Sequence, residues 1–554
     1  MTPPKGTTAM AHRLPSIRRL TSLLRLSRRG SIAIWLAVSF IPLVIAVGIA
    51  IDVTRAYIVK VHLEAALDDA GLAVAATTNN SVNLQTRLNQ YFYGNFVSTQ
   101  IGVPTSVTMS SPSNNSNIIN VYATATLQPL FMQIAGYGQL TVAGYSQVTK
   151  EPTGLEVALV LDNTDSMECG DGAGTWASPP TQAQCSQGVP PSHIDALISD
   201  VNIMVNQLFG ANSSNNLLKM SIIPYVTSVN VAGAMGSGLS SYVPSPGGVY
   251  SDIHGNAIHD PYGNNITYDS TQSSTGTGWW GCVIEPGTAS SAQETSEPSG
   301  GWTGPWTAYY WQPNSFNGYS SNGGQGPWYT STTSHGVTTV TLHIKYDPID
   351  GDYADSDYLS GGPNLGCPSP MTRLTTSFST IQSAVNQLGA RENSGTIILS
   401  GMIWGWRSIS PNPPFSDGLP YNTQGWTKVV ILETDGIDNN YCDASHNTAN
   451  EPLTGFSYCA DGRMGSTNSS TNLTDLDADL QTLCTNMKAP NPGPNIVIFT
   501  IGLGQGANNT AMQNCAGGTS GKLTGTFYAA PTAASLQAAF ASIASQLNAI
   551  RVSQ

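Results

Sequence analysis

The 554-residue sequence predicts an α/β protein with three successive parts: a transmembrane helix, a small α+β region, and a large domain built on a doubly wound, mostly parallel sheet. An uncharged, mostly apolar run at residues 30–51 indicates the helix. Between residues 105 and 150, apolar residues recur at every second position, which is typical of half-buried strands. From residue 154 onward, short apolar runs alternate with amphipathic helical patterns, and this alternation predicts a parallel sheet covered by helices.

The composition indicates an exported, loop-rich protein. Charged residues make up 10% of the chain, against roughly 25% in ordinary soluble domains, and there are 56 Gly and 34 Pro residues. The net charge is −13, but residues 1–51 contain no acidic residue. Their basic residues are Lys5, Arg13, Arg18, Arg19, Arg25, Arg28 and Arg29. The acidic remainder would repel nucleic-acid phosphates, so neither DNA nor RNA is an expected partner.

Residues 30–51 are long enough to span a bilayer, because a helix rises about 1.5 Å per residue and the hydrocarbon core is ~30 Å thick. The basic residues precede this run, so the positive-inside rule predicts a cytoplasmic tail at residues 1–29 and the bulk of the chain outside the cytoplasm. A cleaved signal peptide would show the same polarity, but its apolar region is usually only about 7–15 residues long. A single-pass anchor is therefore the favoured interpretation.

Residues 52–150 are predicted to continue this helix and then to form a small sheet. Helical spacing continues through the apolar residues Tyr57, Val61, Leu63, Ala66, Leu67, Ala70 and Leu72. Residues 119–127 and 140–142 then alternate between apolar and polar side chains, as strands do. A long helix followed by a small sheet resembles the architecture of pilins.

The large domain is predicted to occupy residues 154–551. Its short apolar runs predict buried parallel strands at 155–161, 220–226, 428–432 and 496–501. Its amphipathic patterns predict helices at 193–209, 378–388, 476–487 and 536–550.

A long insertion at residues 233–365 interrupts this alternation. It contains the tryptophans Trp279, Trp280, Trp302, Trp306, Trp311 and Trp328. These side chains either form the insertion's own small core, which is the favoured interpretation, or lie exposed and bind glycans or a protein partner. A hairpin is expected within residues 337–346. Five Asp residues within 347–357 would suit calcium, although a solvated acidic loop is the simpler interpretation.

All cysteines lie beyond the membrane segment, which indicates disulfide bonds in an oxidising compartment. Eight cysteines allow 105 pairings, so the sequence does not determine the connectivity. Proximity along the chain suggests Cys169–Cys185, Cys282–Cys367, Cys442–Cys459 and Cys484–Cys515.

Polar side chains gather at the ends of two predicted strands. Asp162, Thr164 and Ser166 occupy alternate positions after the first strand, so their side chains point to one side. Asp435 ends the third strand, and Thr396 precedes a further helix-like run. The carboxyl ends of strands in a doubly wound sheet open on one crevice, where carboxylate and hydroxyl oxygens would suit Mg²⁺. An incomplete ligand shell would leave a position for a partner's carboxylate.

These residues resemble the metal-ion-dependent adhesion site of the von Willebrand factor type A family. In that family Asp-x-Ser-x-Ser, a distant Thr and a later Asp-Gly form the site. The resemblance covers residues 154–550 except the insertion, and it implies the metal ligands Asp162, Thr164, Ser166, Thr396 and Asp435. Thr164 replaces the first Ser of the pattern and keeps its hydroxyl. The implied cation is Mg²⁺, with Mn²⁺ or Ca²⁺ as alternatives, and the implied partner is an acidic protein ligand.

The chain as a whole resembles TadG-type proteins of the tight-adherence (Flp) pilus system. The matching segments are residues 30–34, 51–57, 63–70, 280–282, 367–368 and 404–411. The resemblance implies an inner-membrane protein with a periplasmic adhesion domain that acts with the pilus and secretion machinery in assembly or attachment. Pilin-type processing would require Glu five residues after Gly30, but Trp35 stands there, so no prepilin-peptidase cleavage is predicted.

The same residues argue against an enzyme. A dehalogenase-type nucleophile motif needs a second Asp two residues after Asp162 as acid and base, and Thr164 occupies that position. A metal-dependent hydrolase is therefore a remote alternative. The main alternative to an adhesion protein is a structural envelope protein whose metal site is vestigial.

Overall fold

The computed structural model describes residues 28–75, 83–96, 102–111, 118–149, 154–172, 189–210, 214–272, 277–291, 305–311, 329–342, 362–391, 395–521 and 523–550. The chain divides into two compact units, Met1–Lys150 and Glu151–Gln554. Nearly all of the basic tail predicted at residues 1–29 lies outside the described residues.

A long helix and a three-stranded sheet form the first unit. Its elements are α1 (Arg28–Ala75), α2 (Leu84–Asn95), β1 (Val103–Ser110), β2 (Ile118–Leu127) and β3 (Leu140–Thr149). The strands pair antiparallel in the order β1-β2-β3. One stripe of α1 packs on the sheet, and the shared core includes Val59, Leu63, Leu67, Ala70, Val74, Val107, Val121, Ala123 and Ala125. The predicted small sheet is therefore present after the long helix.

The N-terminal part of α1 fits a membrane anchor. The helix is long and apolar enough to cross a bilayer within Ile34–Ala75. Its large apolar side chains from Ile34 to Ile51 are exposed on the protein surface and are not packed against other parts of the chain, as expected of side chains that face lipid. The predicted span at residues 30–51 lies in a continuous helix that ends at Ala75.

A six-stranded sheet forms the centre of the second unit. Its described strands are β4 (Gly154–Asp162), β5 (Leu218–Tyr225), β6 (Thr372–Thr375), β7 (Trp426–Thr434), β8 (Val497–Leu503) and β9 (Phe527–Ala530). They lie in the order β6-β5-β4-β7-β8-β9, and all neighbours pair in parallel except β6 with β5. The chain order reverses between β4 and β7, which is the point where doubly wound sheets form their crevice.

Helices cover both faces of this sheet, which confirms the predicted fold class. They are α3 (His193–Phe209), α4 (Phe378–Val385), α5 (Ile398–Ile409), α6 (Ser469–Met487), α7 (Thr510–Cys515) and α8 (Ala533–Ile550). The first, second and last of these pack on one face, against the odd-numbered side chains of β4. The other three pack on the opposite face, against Ala158 and Val160.

The segment between β5 and β6 contains the predicted insertion and packs over α5. All four of its described tryptophans are buried, namely Trp279, Trp280, Trp306 and Trp311. Trp280 and Trp311 lie in a small cluster made mainly of the insertion's own residues, whereas Trp279 and Trp306 join the larger core that contains α5. The predicted core of the insertion is therefore present, but part of it is shared with the central domain. Trp302, Trp328 and the acidic stretch at 347–357 lie outside the described residues. Val337–Leu342 forms a hairpin with Tyr329–Ser334, whereas residues 343–346 of the expected hairpin lie outside the described residues.

Three of the predicted disulfide bonds are present: Cys282–Cys367, Cys442–Cys459 and Cys484–Cys515. The fourth stays a prediction, because Cys185 lies outside the described residues. The shorter described elements are Gly170–Asp171 paired with Val189–Ser192, Val283–Ile284 paired with Thr307–Ala308, Thr519–Ser520 paired with Leu523–Thr524, and the helical turns Ala232–Met235 and Leu239–Tyr242.

Candidate functional site

Asp162 lies at the carboxyl end of β4, and its side chain is fully buried. Its Oδ1 accepts a hydrogen bond from the backbone N–H of Thr164 at 2.8 Å, and its Oδ2 accepts one from the Thr434 hydroxyl at 2.6 Å. Thr434 is the last residue of β7, the parallel neighbour of β4. The two strand ends therefore fix the position of both carboxylate oxygens.

Ser166 and Asp435 link the same two strand ends through their side chains. The Ser166 hydroxyl donates to Asp435 Oδ1 at 2.6 Å, and the Thr164 hydroxyl lies 3.1 Å from the Ser166 hydroxyl. Ser166 belongs to a short 3₁₀ turn, Asp165–Glu168, that follows β4 directly. Four of the five predicted ligands are thus within one connected hydrogen-bond network: Asp162, Thr164, Ser166 and Asp435.

Thr396, the fifth predicted ligand, lies near this network but does not join it. Its backbone N–H and C=O both pair with Asn439, at 2.9 and 2.8 Å, in the loop that follows Asp435. Within the described residues, no hydrogen bond connects the Thr396 side chain to the other four ligands. Thr396 is buried at the start of α5, whose first N–H group is capped by Asp438 Oδ1 at 2.7 Å.

The site concentrates buried acidic groups. Burial, together with the charge of Asp435, raises the pKa of Asp162 to about 7. Glu433, buried on β7, has its pKa raised well above the ordinary value by burial and by the charges of Asp162 and Asp435. The negative charges of these carboxylates repel one another strongly because water is excluded from the region. A bound divalent cation would therefore stabilise their ionised forms.

The donor set suits a hard cation. Two carboxylates and two hydroxyls converge, and all of these donors are oxygen atoms, as Mg²⁺, Mn²⁺ and Ca²⁺ prefer. Within the described residues, no group of three or more His, Cys, Asp and Glu side chains is placed to hold a metal ion. Any cation here would therefore depend on the hydroxyls of Thr164 and Ser166 as well as on the carboxylates.

Sequence reasoning missed two neighbours of the site. Thr434 directly precedes Asp435, and its hydroxyl donates to Asp162, but the sequence pattern does not distinguish it from the other residues of the strand. His193, the first residue of α3, places Nδ1 3.1 Å from Asp435 Oδ2 and Nε2 3.4 Å from Asp171 Oδ1. Burial alone would lower the pKa of His193, but its contacts with Asp435 and Asp171 outweigh this effect and raise it. No local signal in the sequence connects residue 193 with residue 435.

Residues 30–77 match the Tad family model, described as Flp pilus-assembly TadE/G-like. The match covers the predicted membrane span and the part of α1 that packs on the small sheet. It identifies this N-terminal segment as TadE/G-like. No protein of curated function matches the chain.

Similar solved structures include pilus proteins and von Willebrand factor type A domains. The PilB minor pilin from Streptococcus sanguinis is 11% identical, with a TM-score of 0.30 over 81% of this chain and 79% of that one. The von Willebrand factor domain of the type V pili tip protein Mfa5 from Porphyromonas gingivalis is 10% identical, with a TM-score of 0.27 over 72% and 96%. A von Willebrand factor type A protein from Catenulispora acidiphila is 9% identical, with a TM-score of 0.25 over 80% and 50%.

Proposed function

We propose that this chain is a membrane-anchored pilus-assembly or adhesion protein whose second unit binds a divalent cation and, through it, an acidic group on a protein partner. The observation that carries the proposal is the joining of the β4 and β7 ends by Asp162, Thr164, Ser166 and Asp435 at the crevice of a doubly wound sheet. The TadE/G-like segment supports a place in the pilus machinery. No catalytic role is proposed.

The proposed cation is Mg²⁺, with Mn²⁺ or Ca²⁺ as alternatives, and a carboxylate of the partner would complete its coordination. Thr396 would serve as a further ligand after a shift of the loop that contains Asn439. The proposed location is the bacterial inner membrane, with residues 1–29 in the cytoplasm and both folded units in the periplasm.

Calorimetric titration of the full chain in detergent micelles with MgCl₂ tests the cation site. Asp162→Ala is expected to abolish the binding heat, whereas Asp69→Ala, which removes an exposed carboxylate on α1, is expected to leave it unchanged. Circular dichroism and thermal melting would verify that both variants fold. Equal titrations of Asp162→Ala and the parent protein would contradict the ligand assignment.

A vestigial site in a structural envelope protein is the second candidate. The observation that favours it is that the donors already satisfy one another, since Ser166 donates to Asp435 and Thr434 donates to Asp162. Under this alternative the parent protein would give no binding heat with Mg²⁺, Mn²⁺ or Ca²⁺. A strain carrying Asp162→Ala would also show normal piliation and attachment, whereas the adhesion proposal expects attachment to fall.

A further inference from the structure

The loop between β2 and β3 exposes an unusual amount of apolar surface. We call residues 128–139 the interfacial loop; none of its side chains is charged. Ile134 is 82% exposed, Leu130 61% and Tyr137 57%, and Phe131 is partly exposed beside them. The three strands nearby bury most of their aliphatic side chains on α1. This concentration of exposed apolar side chains therefore needs a separate explanation.

The interfacial loop is attached to α1 where the apolar run ends. Asp52, fully buried, accepts hydrogen bonds from the backbone N–H groups of Leu130, Phe131 and Met132 at 2.8, 2.8 and 2.7 Å. On the other side of this attachment, the Arg55 guanidinium donates to the Gln128 carbonyl at 3.2 Å. The loop therefore lies beside the first charged residues that follow the uncharged segment of the helix.

Phe131 extends this contact into the apolar run itself. It packs on Gly48, where an added Cβ would lie 2.6 Å from the Phe131 Cβ, so only glycine allows this approach. Gly48 is buried, whereas most of its neighbours on the helix are exposed. The loop and the last turn of the predicted membrane span thus share one contact.

We propose that the interfacial loop inserts into the bilayer surface beside α1, so that the first unit contacts the membrane at two points and not through the helix alone. A helix with residues 30–51 in the hydrocarbon core places Gly48 and Asp52 at the boundary between acyl chains and headgroups. Leu130, Phe131 and Ile134 would then enter the acyl region, and Tyr137 would occupy the interfacial level that tyrosine favours.

The role of Asp52 supports a lipid environment. Three consecutive backbone N–H groups would be costly to place near hydrocarbon without partners, and one carboxylate satisfies all three. The uncharged loop is compatible with acyl chains, and Arg55 lies where it could meet lipid phosphates. The ligand proposed is therefore a phospholipid bilayer. This inference rests on the membrane anchor of the proposed function but not on its cation site.

Site-directed spin labelling of the full chain in vesicles of neutral and anionic phospholipids tests the proposal. A nitroxide on Ile134→Cys should be accessible to oxygen and protected from a water-soluble nickel complex. Ile45→Cys, within the predicted span, is the lipid reference, and Tyr122→Cys, exposed on β2, is the aqueous reference. We expect nickel accessibility at residue 134 to be at least threefold lower than at residue 122.

Other accessibilities at residues 134 and 45 would contradict either the loop insertion or the membrane anchor. Nickel accessibility at residue 134 equal to that at residue 122 would place the loop in water and overturn the proposal. Protection from both oxygen and nickel would indicate a protein contact, such as a second copy of the chain, and would also overturn it. An aqueous signal at residue 45 would instead refute the membrane anchor.

A pair of glycine variants tests the attachment of the loop to α1, with the label kept at residue 134. Gly48→Leu should displace Phe131 and increase nickel accessibility at labelled Ile134→Cys toward the aqueous reference. Gly94→Leu on α2 is the matched control, because a Cβ there has no atom within 4 Å. An unchanged signal in Gly48→Leu would contradict the proposed role of the Gly48–Phe131 contact in holding the loop at the membrane.

Discussion

Arg407 and Glu285 form a buried, bidentate salt bridge between α5 and the insertion. Nη1 and Nη2 of Arg407 lie 2.7 and 2.9 Å from the two carboxylate oxygens. The guanidinium also lies 4.6 Å from the ring centre of Trp404 and 5.0 Å from that of Trp306. Trp404 lies on α5 itself, whereas Glu285 and Trp306 belong to the insertion. The insertion therefore contacts a buried charge of the central domain and is part of the domain core.

Arg407→Ala is expected to lower the free energy of unfolding of the second unit by about 3–5 kcal/mol, because it leaves Glu285 buried without its partner. Arg373→Ala is the control, since Arg373 forms a comparable bidentate pair with Asp417 at 2.7 Å but in an exposed position. That change should cost about 0–1 kcal/mol. Denaturant unfolding of both variants measures the difference, and equal losses would show that burial is not the deciding factor.

Thr434→Val is expected to weaken Mg²⁺ binding at the proposed site by about 10–100-fold without removing a ligand. The Thr434 hydroxyl holds Asp162 Oδ2 at 2.6 Å, and valine would preserve the shape but not the hydrogen bond. Thr427→Val, also buried on β7 but at the opposite end of the strand, is the control. Calorimetry should show a weaker Mg²⁺ affinity for Thr434→Val only. An unchanged affinity of Thr434→Val would show that the Thr434 hydroxyl does not contribute to cation binding.

The central sheet was predictable from the sequence because its four inner strands are continuous apolar runs. Four helices on its faces, α3, α4, α6 and α8, were predictable from their periodicity, whereas α7 was not predicted because it is only six residues long. The edge strands β6 and β9 were not predicted, because each is only four residues long and carries too little pattern. The strand Tyr329–Ser334 was not predicted either, because a strand rich in Thr and Ser gives no apolar alternation.

The candidate site was predictable only in part. The rule that parallel strands end at one crevice predicted that Asp162 and Asp435 lie near each other. This prediction spans most of the domain, because Asp162 and its hydrogen-bond partner Thr434, the neighbour of Asp435, are 272 residues apart. The contacts of Thr434 and His193 depend on side-chain orientation and on the docking of α3, which no local pattern encodes. Thr396 lies in a loop whose position depends on pairing with Asn439, so spacing alone could not determine whether its hydroxyl reaches the site.

Replacing Cys282 and Cys367 together by Ser is expected to destabilise the second unit more than replacing Cys442 and Cys459. The first bond closes a segment with a sequence separation of 85 and the second one of 17. The chain-entropy model gives about 4–5 kcal/mol for the longer loop and about 3 kcal/mol for the shorter. Urea unfolding of the two double variants would measure the order, and the reverse order would show that loop length does not dominate.

Asp200→Asn is expected to stabilise the second unit at neutral pH but not under acidic conditions. Asp200 is buried on α3, and its Oδ1 accepts a hydrogen bond from Gln537 of α8 at 3.3 Å. Burial raises the pKa of Asp200 to about 6, above its ordinary value of 3.8. The unfolded chain therefore releases this proton at lower pH than the folded chain does, so stability falls as the pH rises from about 4 to 6 and stays lower above that range.

Asparagine carries no charge at any of these pH values and can still accept the hydrogen bond from Gln537. The melting temperature of Asp200→Asn should therefore exceed that of the parent protein at pH 7.5, and the difference should shrink toward zero at pH 4. Asp69→Asn, which neutralises an exposed carboxylate on α1, controls for the change in net charge. A difference for Asp200→Asn that is equal at both pH values would exclude ionisation of the buried carboxyl as its cause.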